Sequence, residues 1–297
     1  MLIDKNAKKD YISASQISMY HTCKHQYYLN YISGTLKFTG NIFTVFGTAM
    51  HETLQAYLKM LFDISVSSAD SLDLESMLQE NMIKEYKVAR EQNDGKDICT
   101  LDQIKDFYVD GVEILKYFKK KRNKYFSTRQ YKLLGIETEV NTPINKVVKF
   151  KGFLDIVLQD KHTNRVKIID IKTSYGGWRD KKKKDPKTRM QLLFYKQFYS
   201  EQFNIPIDEI DIEFFIVKRK VSTAYDWPIP RIQVFVPPSS KRTIATYTNI
   251  ITEMIADVFD EKGNRVDKVY PTNKSADNCK WCAFKGTDKC DAWKTRK

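Results

Sequence analysis

The sequence lacks any long apolar run and any amino-terminal targeting signal. No stretch approaches the roughly 18 consecutive apolar residues that a membrane-spanning helix requires. The segment MLIDKNAKKDYISAS at the start is basic, but it contains neither an apolar core nor a cleavage site of small residues, which a signal peptide would have. We therefore expect a soluble, cytoplasmic protein with no membrane partner.

Cysteine is scarce, with five residues in 297. Cys23 lies near the start and three others are packed near the end, whereas a small secreted protein would carry a framework of paired cysteines. The grouping favours metal ligation over disulfides. The sequence also lacks a phosphate-binding loop of the form G-x-x-x-x-G-K-[ST], so we expect no helicase activity in this chain itself.

The composition is otherwise that of a folded and strongly basic protein. Hydrophobic residues make up 42% and aromatic residues 13% of the chain, which is enough for a full core. Fifty Lys and Arg residues against 37 Asp and Glu residues leave a net charge of +13. Such a charge favours a partner with dense negative charge, nucleic acid first. The alternative is a basic surface that is only solvated.

The first half of the chain has helical periodicity, because its apolar residues recur at steps of three and four. A first helix is predicted to begin after Ser13, which stands three residues before Gln16 as in a capping box, and to continue to Tyr31. Further helices are predicted over residues 45–61, 70–92 and 101–126.

After residue 127 the pattern changes to short β-branched and aromatic segments, which are typical of strands. The predicted strands are 131–140, 147–158, 165–173, 211–219 and 231–236, and helices are predicted at 188–203 and about 240–259. The turn-like QDKHTNR separates the second strand from the third, so these two should be antiparallel neighbours.

This order of elements predicts an α/β fold with a central sheet. We expect one domain over residues 1–297. Its parts would be a helical region at 1–127, a core of sheet and helix at 128–236, and a carboxy-terminal helix and tail at 237–297.

One predicted strand, VKIIDIKT, carries an acid and a lysine within an apolar segment. Alternate residues of a strand share a face, so Asp170 and Lys172 should point to one side while Ile169 and Ile171 point into the core. A structural ion pair is one explanation, since an acid and a lysine over a packed sheet need compensation.

A second acid offers another explanation. Asp155, in GFLDIVL, lies on the preceding strand and should come beside Asp170. Two neighbouring carboxylates repel each other, and a bridging divalent cation relieves this repulsion. Oxygen ligands suit Mg²⁺ or Mn²⁺. A lysine next to such a cation can orient an attacking water or stabilise the charge that develops on a phosphate.

These residues stand in an order that resembles a known family. Read along the chain, the segments are FGTAMHE (Gly47, His51), GFLDIV (Gly152, Asp155), IDIK (Asp170, Lys172) and QLLFY (Gln191, Tyr195). They resemble the successive motifs of the RecB-type PD-(D/E)XK nucleases, which include the RecB and AddB nuclease domains and the CRISPR adaptation nucleases. The resemblance implies a nuclease core in which helices flank a central mixed sheet, with an N-terminal helical region and a cysteine-ligated C-terminal tail.

The resemblance also implies roles for individual residues. Asp155, Asp170 and the backbone carbonyl of Ile171 would be ligands of Mg²⁺ or Mn²⁺, His51 would approach the metal from its helix, and Lys172 would be the catalytic lysine. A histidine on a helix is otherwise usually a packing or surface residue.

Two further positions complete the expected site. The family often has a glutamate in the strand before GFLD, which here is Glu137 or Glu139; Glu137 follows the apolar Ile136 and is preferred, although the alternation of the strand does not decide. Gln191 and Tyr195 share a helix face and would position the DNA backbone or the lysine. The alternative is a helix partly buried through Tyr195.

The cysteines extend the resemblance to both ends of the chain. Cys279, Cys282 and Cys290 form a C-x₂-C followed by a third cysteine, which is one ligand short of a closed site. In AddB and the CRISPR adaptation nucleases one cysteine before the nuclease motifs and three behind them hold a [4Fe–4S] cluster, which assigns Cys23 as the fourth ligand. Zn²⁺ is the alternative, because four thiolates accept either.

The sequence thus predicts a Mg²⁺- or Mn²⁺-dependent deoxyribonuclease, with exonuclease action on DNA ends or single strands in recombination, repair or end processing. It would work alone or beside a helicase, an annealing protein or another recombination partner. The basic run RDKKKKDPKTR and Trp178 would line a channel for the DNA backbone. The alternative is that these lysines lie in a solvated loop. The alternatives are a non-catalytic DNA-binding or assembly subunit with the same fold, and a restriction-type endonuclease.

Overall fold

A computed structural model describes residues 11–35, 40–222 and 229–290 of the chain. The helices in these ranges are α1 (Ala14–Thr22), α2 (Lys24–Tyr31), α3 (Ile42–Asp63), α4 (Val66–Asp70), α5 (Leu74–Gln92), α6 (Leu101–Tyr125), α7 (Asp180–Lys184), α8 (Pro186–Phe203), α9 (Lys241–Val258) and α10 (Ala276–Cys279). The strands are β1 (Tyr11–Ile12), β2 (Tyr131–Pro143), β3 (Lys149–Asp160), β4 (Val166–Ser174), β5 (Ile210–Lys218) and β6 (Ile232–Phe235). A 3₁₀ turn, Ile207–Glu209, precedes β5.

The structure divides into two compact units, and each draws on separate parts of the chain. The smaller unit contains residues 1–37, 140–152 and 239–297, and the larger contains 38–139 and 153–238. The units interleave along the chain, whereas the sequence pattern suggested three consecutive parts. The single domain expected from the sequence stays a prediction.

The larger unit is built on a mixed sheet. Strand β4 pairs antiparallel with β3 and, along its whole length, parallel with β5. Strand β6 pairs antiparallel with β5, and β2 pairs with β3. Helix α8 contacts both β4 and β5. The prediction of an α/β fold in which helices flank a central mixed sheet is confirmed.

The core of the larger unit forms where α3 and α6 meet the sheet. Ile169 and Ile171 of β4 are buried there with Leu54 of α3 and Phe118 of α6. Fully burying an aliphatic or aromatic side chain of this size stabilises the fold by about 1.5–3 kcal/mol. Helix α3 begins at a capping box in which Asn41 and Thr44 each accept a hydrogen bond from the other's backbone. Capping and burial together fix α3 against β4.

The smaller unit corrects one sequence expectation. The segment after Ser13 forms two helices instead of one, because Cys23 has an extended backbone (φ −161°, ψ 109°) that ends α1 and precedes α2. Ser13 caps α1 by accepting from the Gln16 N–H, as predicted. The Gln16 side chain accepts from Arg265, which also donates to backbone carbonyls at Tyr11 and Tyr31. Arg265 therefore ties the start of the chain to a segment more than 230 residues later.

Other contacts hold the smaller unit together. Strand β1 pairs in parallel with the first residues of β3. Tyr20 of α1 donates to the Asp257 carboxylate of α9 at 2.6 Å. In the described ranges, no helix combines the length and the hydropathy that crossing a membrane requires.

Candidate active site

The ladder between β3 and β4 ends where the two predicted carboxylates begin. Its last pair is Ile156 with Ile169, and the next residues outward on the two strands are Asp155 and Asp170. The backbone N–H of Ile171 donates to Asp155 Oδ2 at 2.6 Å. A side chain therefore takes over from the backbone at this point, and the two strands open into a fork with a carboxylate on each branch.

Asp170 and Lys172 lie on one side of β4, as the alternation predicts. Asp170 is 1% exposed, and the Lys172 ammonium lies 2.7 Å from its Oδ2. Apart from this ion pair, no donor in the described ranges hydrogen-bonds to either Asp170 oxygen. Burial raises the pKa of Asp170 to about 6, against the opposing effect of the Lys172 charge. The carboxylate is thus buried with most of its acceptor capacity unused.

Asp155 has a similar electrostatic environment. Burial raises its pKa to about 6; the charge of Lys172 and the Ile171 N–H lower the pKa, and Glu137 raises it. Burial disfavours the charged form of Lys172, but Asp170 and Asp155 outweigh this effect and raise the lysine pKa. The ammonium therefore stays protonated at neutral pH in the field of the two carboxylates.

His51 reaches the fork from α3, one turn after Gly47. Its Nδ1 lies 3.5 Å from Asp155 Oδ2. Burial, reinforced by the Lys172 charge, lowers the His51 pKa to about 4. The imidazole is therefore neutral at pH 7 and keeps a ring nitrogen lone pair, as a metal ligand must. A Cβ on Gly47 would make only ordinary contact with Thr173, so space alone does not require glycine there.

The structure places Glu137, the preferred glutamate, with this group. Its Oε1 accepts from the Gln55 side chain at 2.6 Å, and its charge raises the pKa of Asp155. The Glu137 backbone is left-handed, with φ +49°. The backbone carbonyl of Glu139 accepts a hydrogen bond from the Gln202 side chain. Glu137 and Glu139 stand two residues apart and share a face of a regular strand, so alternation could not choose between them.

Gln191 and Tyr195 contact each other on α8, as their spacing predicts. The Gln191 side chain donates to the Tyr195 hydroxyl at 3.1 Å. Tyr195 is 6% exposed, and burial raises its pKa, with Asp170, Asp155 and Glu137 adding to the effect. The hydroxyl thus lies within the field of the carboxylates, although its ring is also part of the packing.

A cleft of about 660 Å³ opens onto this group of side chains. His51, Glu137 and Lys172 line it, together with residues of α3 and α5. The chemistry-bearing side chains are therefore reachable from solvent although Asp170 itself is buried.

The donor types fit a hard divalent cation. Two carboxylates stand on the branches of the fork, the Asp170 oxygens have no donor other than Lys172 among the described residues, and the neutral His51 imidazole is adjacent. The side chains do not stand in a closed coordination shell: no group of three or more His, Cys, Asp or Glu residues in the described ranges has a geometry that would hold a metal ion. Asp170 is turned to Lys172, and Asp155 to the Ile171 N–H.

Sequence reasoning missed Gln55. It follows His51 by four residues on α3, so it shares the helix face that points to the site. Its side chain donates to Glu137 Oε1 and, at 3.3 Å, to the backbone carbonyl of Asp155. The i, i+4 spacing from the predicted histidine was the signal that could have found it.

The cysteines form a separate group within the smaller unit. The four predicted ligands, Cys23, Cys279, Cys282 and Cys290, line one cavity. None is in a disulfide, and the other three thiols raise the pKa of Cys282, an effect secondary to its burial. The four sulfurs do not stand in metal-ligand geometry. Cys99 belongs to the larger unit and does not line this cavity.

Comparisons with known proteins bear on this arrangement. No curated protein matches the sequence. Thirteen chains of solved structures match, and one of them, the crystal structure of SSO0001, has 14% sequence identity, covers 91% of this chain and 93% of its own, and has a TM-score of 0.33. The profile of the PD-(D/E)XK nuclease superfamily matches residues 11–287. Because that match includes nearly the whole sequence and every residue of the forked site, the chain belongs to the PD-(D/E)XK nuclease superfamily.

Proposed function

We propose that the protein is a Mg²⁺- or Mn²⁺-dependent deoxyribonuclease that hydrolyses phosphodiester bonds at the fork between β3 and β4. Membership of the superfamily implies nuclease activity in general, DNA as the substrate and, usually, Mg²⁺ or Mn²⁺. The observation that carries the proposal for this chain is the pair Asp155 and Asp170, two carboxylates whose pKa values burial raises, with the Lys172 ammonium 2.7 Å from Asp170.

Asp155, Asp170, the Ile171 carbonyl and neutral His51 would hold the cation. When bound, the cation would polarise the scissile phosphate and favour ionisation of a water. The two carboxylates supply the negative charge that attracts it, and they do so above about pH 6, where both are ionised. His51, with a pKa of about 4, adds no competing positive charge at neutral pH.

Lys172 would act on the phosphate. Its ammonium is protonated, lies 2.7 Å from Asp170 and lines the open cleft. From this position it can stabilise negative charge on the phosphate oxygens or orient the attacking water. Gln191 and Tyr195, hydrogen-bonded to each other on α8, would position the DNA backbone or the lysine.

A basic segment after β4 would contact the DNA backbone. The four lysines of α7 follow directly on the loop that leaves β4. The Trp178 ring packs against Phe214, with 4.9 Å between ring centroids, and Lys182 lies 5.8 Å from its centre. This packing supports a role for Trp178 in fixing the loop, while the lysines neutralise phosphates.

The test is cleavage of labelled single- and double-stranded DNA in Mg²⁺, Mn²⁺ or EDTA. Asp170→Ala and Lys172→Met should lose cleavage, whereas Lys167→Met should retain it. Lys167 is a matched control because it is another half-buried lysine of β4, paired with Glu213 outside the site. Absence of metal-dependent cleavage by the unaltered protein would favour a non-catalytic DNA-binding or assembly role.

We further propose exonuclease action on DNA ends or single strands, in recombination, repair or end processing and beside a helicase, an annealing protein or another recombination partner. The support is the resemblance to RecB-type nucleases. A DNA substrate and free cysteines support a cytoplasmic location. End-labelled DNA should yield nucleotides or short oligomers, and closed circular DNA should resist; discrete fragments from circles would identify a restriction-type endonuclease.

The four cysteines of the smaller unit are proposed to bind a [4Fe–4S] cluster, with Zn²⁺ as the alternative. The support is that all four line one cavity, and four thiolates accept either group. Bound there, the group would link α2 to the carboxy-terminal segment, so its binding free energy would appear as folding free energy. Anaerobic purification followed by iron, sulfide and zinc analysis, with absorbance near roughly 400 nm for the cluster, tests the assignment.

A further inference from the structure

Gln55 is a buried amide among the residues that line the cleft of the candidate active site. It is 7% exposed and lies on α3 one turn after His51. A buried amide costs free energy unless its polar atoms find partners. The partners of its NH₂ group are Glu137 Oε1 at 2.6 Å and the Asp155 backbone carbonyl at 3.3 Å. One side chain therefore joins a helix to two different strands, each of which carries a carboxylate of the site.

The Glu137 backbone requires such support. Its φ of +49° lies in the left-handed region, where a residue with a side chain costs about 1 kcal/mol or more. Two residues earlier, Gly135 lies so close to Thr138 that a Cβ there would collide with the threonine side chain. Strand β2 is thus irregular where it carries Glu137. The irregularity turns the carboxylate to the site, and its hydrogen bond to Gln55 is the short contact that holds it there.

We propose that Gln55 is a positioning residue that fixes the Glu137 carboxylate beside Asp155 and thereby sets the affinity of the site for a divalent cation. The inference rests on the proposed function in taking the fork as a cation site. Gln55 has no charge, and its shorter hydrogen bond goes to the Glu137 carboxylate, so it acts on the site through Glu137. Residues that orient metal-site ligands typically contribute about 10–100-fold to metal affinity or activity.

The experiment is a double-mutant cycle with Mn²⁺ binding as its readout. Mn²⁺ affinity is measured by electron paramagnetic resonance, without DNA, for the full-length protein and the variants Gln55→Leu, Glu137→Ala and the two combined. Gln55→Leu should weaken binding about tenfold. The combined variant should bind no more weakly than Glu137→Ala alone, because the group through which Gln55 acts has already been removed.

A matched control separates positioning from packing. Asn81 of α5 donates a side-chain hydrogen bond to Thr53, which lies on α3 as Gln55 does. Neither Asn81 nor Thr53 lines the cleft of the site. Asn81→Ala should lower the melting temperature of the metal-free protein as Gln55→Leu does, but it should leave Mn²⁺ affinity unchanged. Equal loss of Mn²⁺ affinity in both variants would mean that any loosening of α3 weakens the site, which overturns the inference.

Two further outcomes overturn the inference. One is a Gln55→Leu variant that binds Mn²⁺ as tightly as the unaltered protein; the other is a second tenfold loss when Gln55→Leu is added to Glu137→Ala. DNA cleavage is scored separately. A protein with coupled Gln55 and Glu137 effects on Mn²⁺ but no cleavage of DNA would refute the nuclease proposal and uphold this one. A protein that cleaves DNA, but in which the Gln55 and Glu137 substitutions weaken Mn²⁺ binding independently, would uphold the nuclease proposal and refute this one.

Discussion

The buried carboxylates of the fork should make the metal-free protein less stable than it would be without them. Asp155 is the clearest case, because its pKa rises from 3.8 to about 6 chiefly through burial. In Asp155→Asn the charge is lost, while the amide oxygen can still accept the Ile171 N–H. We expect this variant to lose cleavage and to gain stability.

The size and sign of the gain follow from the pKa. Unfolded chains release the Asp155 proton near pH 3.8 and the folded protein near pH 6, so the folded protein binds more protons in this window. The free energy of unfolding therefore falls as the pH rises through the window. Above pH 6 the cost is about 3 kcal/mol at most. Asp155→Asn should recover about 1 to 3 kcal/mol, or about 2 to 6 °C of melting temperature.

The assay is thermal unfolding in EDTA at pH 7.5 and at pH 4. The gain should be present at pH 7.5 and nearly absent at pH 4, where Asp155 is protonated in the folded protein. Asp160 is a control of opposite sign at the end of the same strand, because hydrogen bonds from Gln130, Thr163 and His162 lower its pKa to about 2. Asp160→Asn should lose stability at pH 7.5 and progressively less as the pH falls below 3.8.

Added Mn²⁺ provides a second control. It should raise the melting temperature of the unaltered protein, because a ligand that binds only the folded state stabilises it, and should have much less effect on Asp155→Asn. An Asp155→Asn variant that is no more stable than the unaltered protein at pH 7.5 in EDTA would refute the reasoning. So would a gain of equal size at pH 4.

Three further predictions follow from the same structure. Lys172→Met should lower the rate of DNA cleavage by about 10²–10³-fold, as removal of an electrostatic stabiliser does, while Mn²⁺ affinity measured by paramagnetic resonance does not weaken. The cleavage rate should fall as the pH drops below about 6, because Asp155 and Asp170 become protonated. Initial cleavage rates measured at a series of pH values check this. Cys290→Ser should lose bound metal and destabilise the smaller unit, whereas Cys99→Ser, outside the cysteine cavity, should change neither metal content nor melting temperature.

The arrangement at the fork is a compromise between stability and chemistry. Asp170 is 1% exposed, and in the described ranges its oxygens have no ionic partner and no donor other than the Lys172 ammonium. A chain that needed only a stable sheet would be served better by apolar residues at these positions. The retained charges are consistent with a site built to attract a cation and a phosphate.

Local patterns and the four short motifs accounted for much of this architecture. Strand β4 was recognisable because its β-branched residues alternate with Asp170 and Lys172, and side-chain direction in a strand is fixed by the pleat. The turn before it fixed the antiparallel pairing with β3, and hence the proximity of Asp155. Helix α3 was recognisable from its apolar period of three and four.

Other features depended on contacts between distant residues. The break at Cys23 separates two segments that share one helical period, and the division into two interleaved units follows no local pattern. The spacing from His51 places Gln55 on the helix face of the site, but its two hydrogen-bond partners lie 82 and 100 residues away, so the contacts themselves could not be predicted.

The sequence by itself determined which residues carry charge into the sheet and which side of β4 they occupy, since both depend on the two-residue repeat of an extended chain. Only the tertiary structure brings the Glu137 carboxylate to Gln55 and into the field of Asp155. That placement accompanies a left-handed backbone at Glu137, the close approach of Thr138 to Gly135 and a hydrogen bond from Gln55 on another element. Strand alternation describes regular backbone, so it could not predict where the strand departs from it.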